Sequence, residues 1–290
     1  MRLMFKEQIV LWLFMSLLLG GCSDLVRRQA TPLMTGLTSA IGKQNDPQLV
    51  REGAPAYLLL ADGFLETSPD DPDMLMRAAQ LYTAYASAFL MGQQEDRARR
   101  LSIKARDYAF RAAAIRLPAF GTLYQKPFAE FESAAALFQK GDEALLLLII
   151  KTWAAVIQTS KDDWDLLADI AKIELLTKRL LMLDEGYDYG AAHLFMGVLK
   201  TLLPQAMGGR PEEGRQHFEK ALQFSKGAYL PTYVIYAGQY AKATQNRALY
   251  EQLLLHVLDA PANSRPELTL INTLAQQQAR QMLADADQYF

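Results

Sequence analysis

From about residue 49 onward, apolar side chains return at steps of three and four residues and hardly ever alternate. A strand needs period-two alternation of β-branched or aromatic residues between turn signals, so this pattern calls for helices and leaves no sheet to build. Turn-forming residues interrupt the periodic runs at 68–72, 118–127, 141, 186–190, 208–211, 227–231 and 261–266. They leave about ten to twelve helices of roughly 12–22 residues each. Asp71 or Ser68 is placed to cap the helix entering near Asp73, and Asp142 or the Lys161-Asp162 pair precedes later starts. The expected fold is all-α, with neighbouring helices antiparallel.

Residues 144–150 form seven apolar positions in a row, and 153–157 continue the run after Lys151 and Thr152. A helix apolar on every side must be surrounded, by lipid or by protein. Lys140, Asp142 and Glu143 before the run and Lys151 within it leave too few residues to span a bilayer. The segment is therefore expected as a central helix that others enclose.

Part of the chain repeats. Helix-pair arrays with a period of about 34 residues place small and aromatic side chains at fixed positions on both helices. Tyr82, Tyr85, Ala86 and Phe89 on one helix, followed by Ala98 and Ala105 on the next, fit such a tetratricopeptide-like pair. Gly214, Phe218 and Ala221 fit a second pair, whose first helix at 191–203 is followed by an extra loop at 205–209. Small residues at these points let helices approach closely. The expected architecture is a tetratricopeptide-like array of antiparallel helix pairs, with a plain helical bundle as the alternative.

The start of the chain is of another kind. Arg2 and Lys6 precede an apolar stretch at 9–19, and Leu19-Gly20-Gly21-Cys22 ends it. A basic start, a short apolar core and small residues before a cut are the layout of a secretory signal. The final four residues resemble a bacterial lipobox, which implies cleavage before Cys22 and lipid attachment to it. Ser23 in the next position resembles the enterobacterial sorting pattern for the outer membrane. The expected division is a cleaved signal at 1–21, a tether and N-terminal segment at 22–48, and one all-helical domain at 49–290. Two or three acyl chains would supply stable anchoring to a membrane.

Beyond residue 21 the chain carries 28 basic and 31 acidic side chains. That balance argues against nucleic acid as a partner, which would call for a basic footprint. Cys22 is the only cysteine, so once it is lipidated no thiol remains for disulfides, nucleophilic catalysis or thiolate metal sites. His193, His217 and His256 lie far apart in sequence, each alone on its helix and none in a metal-binding helical spacing. No nucleophile elbow or phosphate-cradling loop is present, since Gly208-Gly209 lacks the lysine and hydroxyl residue that would follow. Asp70, Asp71 and Asp73 are interrupted by Pro72 and read as a capped helix entry rather than a calcium loop. Asp162, Asp163 and Asp165 around Trp164 read as an acidic helix start that the helix dipole favours. No catalytic residue, metal or cofactor is expected, and the chain is read as a non-enzyme.

Aromatic stripes remain. Tyr229, Tyr233, Tyr236 and Tyr240 follow at steps of four, three and four, which would set them on one helical face. Tyr82, Tyr85 and Phe89 make a shorter stripe. Such stripes serve either as core or as the wall of a groove, where tyrosine offers flat apolar area with a polar tip. The candidate ligand- or partner-binding residues are accordingly Tyr82, Tyr85, Tyr233, Tyr236 and Tyr240.

The string from Gly53 to Glu66, GAPAYLLLADGFLE, resembles the opening of the TRAP transporter T-component family. The similarity continues through 78–89, 96–101 and 105–108, then through Gly208-Gly209-Arg210-Pro211-Glu212 and 217–221. It closes with 265–272, Ala275, Ala279 and Tyr289-Phe290. The resemblance implies a lipid-anchored periplasmic helper of a tripartite ATP-independent transporter, at the outer membrane. It would dock onto the transporter's substrate-binding protein, form homo-oligomers and pass a small organic, partly apolar ligand through its helices. The alternative is a tetratricopeptide-like scaffold lipoprotein for envelope or cell-wall assembly, with no small ligand.

Overall fold

The computed structural model describes residues 34–160 and 162–290. The expected signal at 1–21, Cys22 and the start of the tether lie outside the described residues. The chain divides into two units, residues 1–40 and 41–290. Of the first, residues 34–40 are described; they are helical, and the Thr38 hydroxyl donates to the Met34 carbonyl.

The second unit is built of helices, with no strand among the described residues. Asp46 opens it by accepting from the Gln48 and Leu49 amides, so that α1 runs Pro47–Thr67. Asp71 does the same for α2, Pro72–Phe89, taking the amides of Asp73 and Met74. In both, proline at the first turn removes an amide that would have had no partner. Helix α3, Glu95–Arg116, returns along α2: Arg116 bonds Asp73 at one end, and Arg97 lies over Tyr85 near the other. Ala98 and Ala105 are fully buried on α3, as the repeat pattern requires.

Next come two short helices, α4 (Pro118–Leu123) and α5 (Phe128–Phe131), and a 3-10 turn, Glu132–Leu137. Helix α6, Glu143–Gln158, is the expected central one. Six consecutive residues from Leu145 to Ile150 are at most 4% exposed, and it packs against α3 on one side and α8 on the other. Phe110 of α3 and Phe131 of α5 meet the Trp153 ring edge-on. Asp142 precedes α6 without capping it; its carboxylate accepts from the Gln139 amide instead. Similarly, the cap of α7, Trp164–Ala168, is Asp163, which accepts from the Leu166 amide.

Helices α8 (Ile170–Leu183), α9 (Tyr187–Thr201) and α10 (Pro211–Ser225) follow. The second repeat match is the α9–α10 pair. A Cβ at Gly197 would lie 2.6 Å from the Phe218 ring, and one at Gly214 would lie 2.6 Å from Thr201 Cγ2. The two helices therefore touch backbone to side chain, antiparallel, through positions where only hydrogen fits. Helix α11 (Pro231–Tyr236) runs directly into a π-helical turn, Ala237–Ala241. Helices α12 (Arg247–Asp259) and α13 (Thr269–Ala284) complete the unit.

Residues 47–284 thus form thirteen α-helices, slightly more than expected. The excess comes from pieces of four to six residues at the turn clusters, too short to show a period. The order of packing also closes on itself. Leu270 and Leu274 of α13 join the apolar cluster formed by Val50 and Leu58 of α1 with Tyr82 and Tyr85 of α2.

Candidate functional site

Pro55 lies inside α1 and has no amide hydrogen for the carbonyl of Arg51, four residues back. The Tyr85 hydroxyl donates to that carbonyl at 3.4 Å. Tyr85 is buried and rests against Phe89, with the Arg97 guanidinium 5.8 Å above its ring. Its hydroxyl thus serves a backbone group that proline left open.

About two turns after Pro55, α1 turns Asp62 toward α2 and α3. Tyr82 Oη donates to Asp62 Oδ2 at 2.7 Å, Tyr108 Oη to Oδ1 at 2.8 Å, and Lys104 Nζ to Oδ2 at 2.6 Å. The ammonium also sits 4.9 Å from the Tyr82 ring centre and 5.7 Å from that of Tyr108. Burial alone would raise the Asp62 pKa, but bonds from Lys104, Tyr82 and Tyr108 favour the anion and hold it below the usual carboxylate value. Burial and the Asp62 bond act together on the phenols: Tyr108 is pushed up to about 12, and Tyr82 is raised as well. For Lys104, burial would lower the pKa, but the bond to Asp62 outweighs it and the value rises. Four titratable groups thereby hold fixed protonation states near neutrality: one anion, one cation and two neutral phenols. With no group poised to exchange a proton, the cluster is suited to joining three helices and presenting a fixed charge pattern, not to acid–base chemistry. Sequence reasoning had chosen Tyr82 but not Asp62, Lys104 or Tyr108.

The second tyrosine stripe does not stay on one face. Tyr229 lies in the turn before α11 and stacks on Tyr189, the two planes 4° apart. Tyr233 is half-buried and packs on the His256 ring at 4.4 Å. Tyr236 is buried against the Phe218 ring, and Tyr240, next to it, donates its hydroxyl to Glu212. Burial raises both phenols, with Glu212 adding to the effect at Tyr240. Tyr229 falls outside the stripe because the helix begins only at Pro231; the π turn, in which the Lys242 amide reaches back five residues to the Ala237 carbonyl, still leaves the Tyr240 ring 5.6 Å from that of Tyr236.

Two histidines that looked solitary in sequence meet in space. His193 Nδ1 of α9 and His217 Nδ1 of α10 are 2.8 Å apart, so one ring must donate and the other accept. Glu185 Oε2 lies 3.4 Å from His193 Nε2, and the Phe224 ring stacks on the imidazole. Burial lowers both pKa values. At His217 the nearby His193 and lysines add to burial, and the value falls to about 4. Among the described residues, no group of three or more His, Cys, Asp or Glu side chains is arranged to hold a metal ion.

Close to this pair the chain is strained. Asp188, Tyr189 and Gly190 are three successive left-handed residues, at φ 47°, 62° and 74°. Glycine is required at 190, where a Cβ would lie 3.0 Å from Phe224 Cβ and 3.1 Å from Ala221 Cα. Lys151 holds Asp188 at 2.7 Å, and Tyr189 is held by Tyr229, by the Arg265 guanidinium over its ring and by a 3.1 Å bond to Glu267.

Fold and site together describe a helical-repeat protein whose polar clusters join helices and whose described residues contain no helix able to cross a membrane. The chain belongs to the TRAP transporter T-component family, whose sequence profile matches residues 43–290. It is an accessory family of transporters. No curated protein shows significant similarity to the chain.

Proposed function

We propose that the chain is the lipid-anchored accessory component of a tripartite ATP-independent periplasmic transporter, and that it binds the transporter's substrate-binding protein. The observation that carries this reading is the family match, which takes in every helix from α1 to α13. The Leu19–Cys22 string supplies the anchor: Cys22 would be lipidated and hold the helices in the periplasm at the outer membrane. A tether raises the local concentration of two weakly binding partners without adding any contact between them. A stacked-helix array presents the extended surface that such a partner needs. In this reading the protein captures a small, partly apolar ligand and passes it to the soluble binding protein, with half-buried Tyr233 as the candidate for the contact surface; Tyr82, Tyr85, Tyr236 and Tyr240 are buried in the fold.

The reading is tested by chemical cross-linking in intact cells, followed by affinity capture of this chain and mass spectrometry. Cross-links to the substrate-binding protein are expected. Cross-links confined to cell-wall or envelope-assembly proteins would contradict the transport role and favour a scaffold.

A further inference from the structure

His193 and His217 join α9 to α10 through a contact that tolerates few protonation patterns. Their Nδ1 atoms are 2.8 Å apart, and the hydrogen bond between them needs one bare nitrogen. When both rings are imidazolium, two N–H groups and two positive charges face each other at that distance, and the rings must part. The surroundings do little to hold a charged pair in place. His193 is 2% exposed. The charges acting on the rings are Glu185 from the turn before α9, Lys200 of α9, and Glu213 and Lys220 of α10. Glu185 stands 3.4 Å from the other ring nitrogen of His193, and Glu174 of α8 already holds Lys200 at 2.8 Å.

The Phe224 ring connects this pair to the strained entry of α9. It stacks on His193 with the planes 12° apart, and a Cβ at Gly186 or Gly190 would lie 3.0 Å from Phe224 atoms. Phe224 is 38% exposed, which leaves it room to follow His193 outward. The left-handed residues Asp188, Tyr189 and Gly190 lie next to it. Such backbone persists only while its surroundings over-determine it. Here Ala221 and Phe224 close on Gly190, while the Tyr229 ring, the Arg265 guanidinium and the Glu267 carboxylate grip Tyr189. Asp188 is paired with Lys151 of α6. Residues 265–267 lead into α13, and a Cβ at Gly42 would meet the Glu267 carbonyl at 2.9 Å. The turn thus stands between the histidines and the place where the last helix meets the start of the second unit.

We propose that His193, His217 and Phe224 form a proton-operated latch: neutral rings hold the left-handed turn against α10, and charging them lets the turn relax and loosens its grip on residues 265–267. In the open form the rings ionise at the ordinary histidine value of 6.5. In the closed form His217 is held down to about 4, by burial first and then by His193 and the lysines. Each proton that the closed form withholds favours opening by about tenfold per pH unit within that window. The latch is therefore shut near neutrality and opens as pH falls from 6.5 toward 4. Glu267 also faces the turn. Its own amide and the Tyr189 hydroxyl hold its carboxylate below the ordinary 4.5, so it stays an anion through most of the window.

The test follows amide hydrogen exchange in the full chain from pH 6.5 to about 4, each rate corrected for the intrinsic pH dependence of exchange. Protection at 186–193 and at 264–270 should fall together, by up to about tenfold per pH unit for each withheld proton, while 145–157 of α6 stays protected. In the double variant His193→Gln/His217→Gln, both segments should keep their protection across the window. A fall of the same size in that variant would overturn the latch. Protection lost in all helices in step would overturn it too, since that marks global acid unfolding. Loss at 186–193 alone would overturn the link to residues 265–267. Should the double variant not fold, NMR titration of the histidine rings in the unaltered chain decides. His193 and His217 must both titrate below 6.5, and the loss of protection must level off where they do. Ring midpoints at 6.5, or loss that ignores them, would overturn the proposal.

Discussion

Asp62 accepts from donors on two neighbouring helices, so its removal leaves a lysine and two phenols without their shared partner. Asp62→Ala is expected to cost about 2–3 kcal/mol, because polar groups stranded at a helix junction lose more than the bonds themselves contribute. Urea melts of the two forms measure this. The Asp62 pKa is depressed by folding, so its contribution is complete above the unfolded value of 3.8 and is lost as pH falls through the lower folded value. The stability difference between parent and variant should therefore be constant at neutral pH and shrink only in strong acid. The His193–His217 pair acts at milder pH. His217 titrates at 6.5 when unfolded and at about 4 when folded. Stability should consequently fall between those values, by at most about 1.4 kcal/mol per pH unit for each proton withheld. His217→Gln should flatten that part of the profile, and an equally steep profile in the variant would contradict the assignment. Neither cluster was legible as a cluster in the sequence. Tyr82, Lys104 and Tyr108 stand 20 to 46 residues from Asp62, and His217 stands 24 from His193, distances at which spacing says nothing about contact.

At the scale of elements, the close approach of α9 and α10 rests on missing side chains. Gly197→Ala would push a methyl group to 2.6 Å from the Phe218 ring, which is fully buried and cannot swing aside. A loss of about 1–3 kcal/mol is expected from overpacking, seen as a lower thermal midpoint. A change of a few tenths would mean that the pair can slide apart. Much at this scale could be read in advance. Helical periodicity, the Asp71 cap, the small residues of both repeat pairs and the enclosure of α6 all follow from local spacing and composition. Local rules failed where a competing contact or a late helix start intervened. Asp142 turned to the Gln139 amide instead of capping α6, and α11 begins only at Pro231, which leaves Tyr229 stacked on Tyr189 and off the stripe that α-helical counting had aligned. The short helices α4, α5, α7 and α11 hold at most two turns each, too little for a period to show.

Over the whole of the second unit, the last helix returns to the first. Leu270 and Leu274 pack with the α1–α2 cluster, and a Cβ at Gly42 would meet the Glu267 carbonyl at 2.9 Å. An open repeat array leaves a bare apolar flank at each end, whereas here α13 covers the inner side of α1. What stays bare on α1 is its outward side, where Leu49, Leu59 and Leu60 are exposed. This long-range closure could not be read from periodicity, because it joins segments more than 200 residues apart. The most direct measurement is titration calorimetry of the full chain in detergent against the purified substrate-binding protein of the transporter proposed above. The account predicts saturable binding. Heats of dilution alone, at partner concentrations up to the millimolar range of the weakest specific complexes, would contradict it.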